Sequence, residues 1–324
     1  MVKPAFFPPP LLKVLVLNAE NLFVFMERWD GSELKSMKEP AWQLSNPGLL
    51  DNKPLVKTLD LAHSIKSIDP DLILMTEVGG LESLKNFNQH FLENGWRPHL
   101  LETNSDRGID MGYLVRGAWE ATITSHRDYV LPHAKYTKFS RDVLSLKLAY
   151  QGETWLVALL VHLKSKLNMK GEDFEGRTRR AVEVHGLAAI ASGLDPATPL
   201  LVGGDFNGDA RWPDPEPEFL PLYHRAELKD VVELSHLPEE DRFSYLHFRP
   251  SAGTRIAQQL DYLFMNPAAQ QLLRPESVIF PRYLSHQGHP LPVPVDISQK
   301  KLLPSDHFPL YAEFDLTRHP LWRD

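Results

Sequence analysis

Four short stretches of this chain are apolar almost without interruption, and each gives way to polar side chains. Leu11 to Leu17 leads into Asn18-Ala19-Glu20-Asn21, and Asp71 to Val78 closes on Glu77-Val78. Trp155 to Val161 runs into His162-Leu163-Lys164-Ser165. Pro199 to Val202 breaks at two glycines into Gly203-Gly204-Asp205-Phe206-Asn207-Gly208. A strand that is apolar on both alternating faces is covered on both faces, so these runs demand layers above and below a sheet. Their polar ends then gather at a strand edge, where the fold has no further use for apolar residues. Glycine at such an end permits unusual backbone angles and a close approach. Taken alone, Asp205 and Asn207 read more readily as an Asx-rich turn that ends a strand than as chemistry.

Between these strands the spacing turns helical. Leu55, Val56, Leu59, Ala62, Ile65 and Ile68 follow Pro54 and stop at Asp69-Pro70; a second helix is predicted from Leu81 to Asn94 before Gly95, and a third from Gly176 to Ser192. Val143 to Leu148 and Trp155 to Val161 read as a hairpin, with further strands at Gln259 to Met265 and Leu310 to Phe314. Arg107 to Arg116 reads as turn then strand. Helices alternating with buried strands imply layered α/β packing. Residues 27–53 and 281–304 read as long loops, and Trp212 to Pro217 as a rigid, proline-rich surface loop. Trp29 and Trp42 either stack on a ligand or pin their loop to the body. No linker interrupts the pattern, so residues 1–324 read as one domain.

Composition narrows the chemistry. The 324 residues contain no cysteine, which removes disulfides, thiolate metal sites and a cysteine nucleophile together. Any metal must then be held by oxygen and imidazole. No run is long enough to span a membrane, and the proline-broken start is no secretory signal; the default location is cytoplasmic, with secretion of a processed form left open. A net charge of −7 argues against a protein that coats nucleic acid with its whole surface. The charge is uneven: from His133 to Arg180 ten basic residues face five acids, so the segment is +5 and the remainder −12. That allows either a phosphate-facing patch or a solvated face of mixed charge. No protein partner can be inferred.

Polar residues thus recur at strand ends: Asn18, Glu20, Glu77, His162, Asp205, Asn207, Asp261, Asp306 and His307. Each has a structural reading of its own, as a turn cap, an exposed acid or a histidine bonded to backbone. Asp261, inside an apolar strand, is the hardest to dismiss, because a buried acid needs a partner. Acids and histidines without cysteine suit a hard cation and protonic chemistry.

Six of these segments, in order, resemble the endonuclease/exonuclease/phosphatase superfamily with its deoxyribonuclease I-like fold. They are Asn18-Ala19-Glu20-Asn21, Pro70 to Val78, His162-Leu163-Lys164-Ser165, Gly204-Asp205-Phe206-Asn207, Leu260-Asp261-Tyr262 and Ser305-Asp306-His307. The resemblance implies an α/β (α+β) four-layer sandwich, two mixed β-sheets packed face to face with helices outside. It implies hydrolysis of phosphate esters with Mg²⁺ or Mn²⁺, most naturally by a nuclease acting on DNA or RNA. By motif position Glu77 is the principal metal ligand, with Asn18 and Asp306 near the ion and Glu20 a weaker ligand. Asp205 would orient and deprotonate water, with Asn207 holding that water or a phosphate oxygen. His307, paired with Asp261, would bind the scissile phosphate, and His162 would contact it from the other side. Arg141 and Lys164 fall where substrate phosphate is met, although Arg141 reads equally as a surface residue. Asp110 reads as supporting the site or making a turn. Two positions depart from the family: Thr76 stands where glutamine is common, and Gln259 where many DNA-repair relatives have arginine. The alternatives are a phosphatase or phosphodiesterase of a phospholipid, sphingomyelin or inositol phosphate, and an inactive binding module.

Overall fold

The computed structural model describes residues 7–48, 50–105, 108–166, 173–249 and 254–322. Two six-stranded sheets form its centre. The first contains β1 (Leu11–Leu22), β2 (Leu72–Val78), β3 (Arg97–Leu100), β4 (Asp110–Val115), β13 (Leu273–Ile279) and β14 (Leu310–Asp315), in the order β13-β14-β1-β2-β4-β3. The second contains β5 (Glu120–Ser125), β6 (Val143–Tyr150), β7 (Glu153–His162), β8 (Leu200–Asp205), β9 (Lys229–Asp230) and β12 (Asp261–Met265), in the order β5-β6-β7-β8-β12-β9. The pairs β1/β2 and β7/β8 are parallel, and the other pairings are antiparallel. A separate hairpin joins β10 (Tyr245–Arg249) to β11 (Thr254–Gln258).

Alternation along the central strands creates the four layers. Val14 and Val16 of β1 and Leu72 and Leu74 of β2 meet Leu144, Leu160, Leu201 and Leu263 between the sheets. Leu15, Leu17 and Ile73 face the other way, onto helices α2 (Leu55–Ile68) and α3 (Gly80–His90). In the second sheet Leu159, Val161 and Val202 turn outward onto α4 (Arg177–Ser192). The sandwich is therefore helix, sheet, sheet, helix, as the resemblance implied.

Several details differ from the sequence reading. The strand predicted to end at Leu17 continues to Leu22, with an irregularity after Asn18, and the second helix stops at His90 rather than Asn94. Residues 27–53 are no plain loop: α1 (Glu39–Leu44) lies inside them, with Trp42 fully buried and its Nε1 donating to Lys53 O at 2.8 Å. That settles Trp42 as an anchor. The proline-rich tract contains a short helix, Ile297–Lys300. Arg107 lies outside the described residues, while Asp110 opens β4 and accepts from the Thr103 N–H and hydroxyl, closing the loop between β3 and β4.

Candidate active site

Strand register brings the polar residues together. His162 at the end of β7 lies opposite Asp205 at the end of β8, and Asp205 lies opposite Asp261 at the start of β12. The two glycines before Asp205 make this possible. A Cβ on Gly204 (φ +134°) would sit 1.9 Å from the Val161 carbonyl oxygen, and one on Gly203 would sit 2.8 Å from Leu74 Cδ2 in the facing sheet. What approaches closely here is the protein's own backbone and core. In the first sheet Asn18 pairs with Thr76, so the next residue, Glu77, emerges beside it; Glu77 holds φ at 59°.

Asn18 ties the two sheets together. Its Nδ2 donates to Asp205 Oδ2 at 3.0 Å and to Glu77 Oε1 at 3.4 Å, while its Oδ1 accepts from the Glu20 N–H at 2.9 Å. His162 Nε2 stands 3.6 Å from Asp205 Oδ2 and 3.8 Å from Glu77 Oε1. The second Glu77 oxygen accepts from the Asn21 N–H at 3.1 Å. Asp205 Oδ1 accepts from the Asn207 N–H at 2.8 Å, and Asn207 Nδ2 donates to Leu163 O at 3.1 Å. Burial pushes the Asp205 carboxyl up to about 7, with the Asp261 and Glu77 carboxylates adding to the rise against the lowering by His307.

The second component is a buried dyad. Asp261 Oδ2 meets His307 Nδ1 at 2.7 Å, with both side chains buried. The dyad is clamped by its surroundings: Ser244 Oγ accepts from the Asp261 N–H at 3.0 Å, and Tyr283 donates its hydroxyl to His307 O at 2.6 Å. Burial alone would lower the imidazole pKa, but Asp261, Asp306 and Asp205 outweigh it and raise the value to about 10. His307 is thus an imidazolium at neutral pH, with Nε2 3.9 Å from Asp306 Oδ1. The Asp306 carboxyl stays below its ordinary value: burial raises it, but His307, Lys300 and Lys53 lower it more.

Asp205, Asp261 and His307 offer ligand atoms within 4.8 Å of one another, a spacing that also suits a metal ion. The 2.7 Å bond between Asp261 and His307, however, already uses one ligand atom of each, so this group is better described as a hydrogen-bond relay. Glu77 and Asp306 also bring carboxylate oxygens to this edge, at 18 and 31% side-chain exposure.

No family model and no curated protein matches the sequence. Solved structures do match the fold. TDP2 from D. rerio, complexed with a single-strand DNA product, aligns over 94% of this chain and 98% of its own, at 15% identity and a TM-score of 0.57. The human Nocturnin catalytic domain with bound sulfate aligns over 94% of both chains at 14% identity and 0.54. An endonuclease/exonuclease/phosphatase family protein from Bacteroides thetaiotaomicron covers 95% of this chain and 98% of its own, at 15% and 0.55. The chain has the endonuclease/exonuclease/phosphatase fold.

Within this endonuclease/exonuclease/phosphatase fold the expected residues divide. Asn18, Glu77, His162, Asp205, Asn207, Asp261, Asp306 and His307 form the linked edge described above. Asn18 enters it as a hydrogen-bond donor, its amide oxygen turned to backbone. Glu20 turns instead to two lysines, at 2.9 Å from Lys57 Nζ and 3.5 Å from Lys53 Nζ. Arg141 braces the end of β7, its guanidinium donating to the carbonyls of His162 and Leu163 at 3.2 and 3.3 Å. Lys164 bonds through its backbone, the N–H to Glu183 and the carbonyl to Arg180. Part of the basic segment is not a phosphate-facing surface: Arg180 is fully buried and paired with Glu218 at 2.6 Å, and Arg179 pairs with Glu183.

Three residues escaped the sequence reading. Lys53 is buried and donates to Glu20 O at 2.9 Å; burial brings its ammonium down to about 8 against the raising effect of Glu20. Lys300 Nζ donates to Leu246 O at 3.0 Å and lies 3.4 Å from Asp306 Oδ2 and 3.3 Å from the centre of the Tyr245 ring. Tyr245 in turn packs 4.9 Å from the His307 ring. Lys53 and Lys300 sit in polar or proline-rich stretches without periodicity, and Tyr245 begins the short hairpin strand β10.

Proposed function

We propose that the chain is a divalent-metal-dependent phosphodiesterase that hydrolyses nucleic acid. The observation that carries this reading is the buried Asp261–His307 dyad set beside Asp205 at one sheet edge. Asp261 holds His307 Nδ1, so the imidazolium presents its Nε2–H as a fixed donor for a phosphate oxygen as charge develops on it. Asp205, oriented by Asn18 and the Asn207 N–H, has a carboxyl poised near neutral pH, which suits it to take a proton from attacking water. His162, between Asp205 and Glu77, would supply a second imidazole to contact the phosphate from the other side.

Glu77 and Asp306, with Asn18 beside them, would hold Mg²⁺ or Mn²⁺, whose role when bound is to neutralise the phosphate and stabilise the leaving oxygen. Lys300 keeps Asp306 paired and oriented. Nucleic acid is the favoured substrate because the D. rerio TDP2 structure of the same fold contains a single-strand DNA product.

A substrate panel in Mg²⁺ tests the reading: plasmid DNA, RNA, inositol phosphates and sphingomyelin, each with and without EDTA. The expected outcome is cleavage of DNA or RNA that stops in EDTA and returns with Mg²⁺ or Mn²⁺. Turnover unaffected by chelator would overturn the metal requirement, and turnover of only the lipid or inositol substrates would overturn the nucleic-acid assignment.

A further inference from the structure

Away from the dyad, a cavity of about 490 Å³ opens between the Trp212-Pro213 loop, the end of β9 and Gln259, which precedes β12. Its wall contains Asp230, 3% exposed, and the partly buried Glu233. Neither forms an ion pair among the described residues. The two arginines of the wall are already engaged. Arg211 grips Asp209 at 2.7 and 2.9 Å, and Arg242 pairs with Glu239 at 3.4 Å.

Asp230 receives hydrogen bonds from Gln259 Nε2 at 2.8 Å and from the Leu263 N–H at 3.2 Å, but no charge from either. An independent observation points the same way. Gln259, 1% exposed and part of the same wall, has an Oε1 with no hydrogen-bond partner, as does Glu233 Oε2. Buried acceptors are normally satisfied, so Gln259 Oε1 and Glu233 Oε2, left over beside an Asp230 carboxylate that has no ion pair among the described residues, mark a missing donor. Trp212, 45% exposed, forms part of the wall, with Tyr223 packed against its ring at 5.1 Å. An indole face there suits a cation that the carboxylates also attract.

We infer that this cavity is a binding site for an organic cation, an ammonium or guanidinium group that donates to Asp230 and Glu233. The site is separate from the phosphodiesterase reading and does not depend on it. A cation entering here supplies the charge and the N–H donors that Gln259 cannot supply together. Burial also raises both carboxyls above their ordinary range, the condition that a bound cation would relieve.

Calorimetric titration of the full chain at pH 8 and fixed ionic strength tests this, using agmatine for the guanidinium and 1,4-diaminobutane for the ammonium. The expected result is saturable one-to-one binding of at least one probe, weakened about 10–100-fold in the D230N/E233Q double variant. Gln259→Arg, which places a guanidinium beside Asp230 from within, should abolish the binding and raise the unfolding temperature. No saturable binding by the unaltered protein, or binding undiminished in D230N/E233Q, would overturn the inference. Neither readout involves hydrolysis, so failure here is distinct from failure of the proposed activity.

Discussion

At the candidate site, the charge of His307 is set by its neighbours. Burial alone would leave it neutral; Asp261, Asp306 and Asp205 together keep it charged. Substituting the partner therefore separates charge from position. Asp261→Asn retains a hydrogen-bonding group opposite Nδ1 but removes the charge that favours imidazolium. Turnover should fall by about 10²–10⁴-fold, with an unfolding transition close to the original. His307→Ala should do the same, and the two losses should not multiply in the double variant, because the residues act as a unit. Steady-state kinetics alongside thermal unfolding reads both effects. If Asp261→Asn kept near-original turnover, the carboxylate would have only a structural task.

At the scale of elements, the pairing of β7 with β8 decides whether the site exists. The Val161 carbonyl occupies the space a Cβ on Gly204 would need, so Gly204→Ala must push the strands apart or strain a positive φ. Loss of the His162–Asp205 juxtaposition should follow, with stability lowered by about 1–3 kcal/mol and activity lost, measurable by denaturant titration and assay. A second prediction concerns β9 and β12. The Asp230 carboxyl ionises near its ordinary 3.8 when unfolded, but burial raises it to about 7 in the fold. Between those values the folded state binds more protons, so this group's contribution to stability is full below about pH 4 and is lost as pH rises to about 7. Asp230→Asn should flatten that slope, because an amide does not titrate, and denaturant titration across this pH range compares the two proteins. The elements differ in how legible they were. β1, β2, β7 and β8 are apolar on both faces and stand out in the sequence, and their polar ends with them. β5 alternates but offers only Ala121 and Ile123 to the core and has no buried residue, β9 has two residues, and β13 carries Pro275, so each gives a weak signal. Lys53 and Lys300 reach the site from segments without regular spacing. Their burial is set by tertiary packing, such as Trp42 over Lys53 O, which no local pattern encodes.

The whole molecule is two sheets, and each supplies part of the candidate site. Asn18, Glu77, Asp306 and His307 come from or beside the first; His162, Asp205 and Asp261 come from the second. The spacing between sheets therefore sets the distances within the candidate site, and a buried group spans it elsewhere. Tyr113 of β4 places its hydroxyl 2.7 Å from Leu144 O and 2.8 Å from Ala158 O in the facing sheet. Two forces could maintain the spacing there: this polar contact, or the packing of the apolar layer around it. Tyr113→Phe keeps the ring and removes only the hydroxyl. Its hydrogen bond is worth about 0.5–1.5 kcal/mol net, with a further penalty where buried carbonyls lose a donor. Dense packing should hold the sheets in place without it, because interiors resist displacement. The variant should thus lose about 1–3 kcal/mol in denaturant titration while its turnover number stays unchanged. A fall in turnover in the fully folded variant would instead show that this hydroxyl fixes the distance across which Asn18 reaches Asp205.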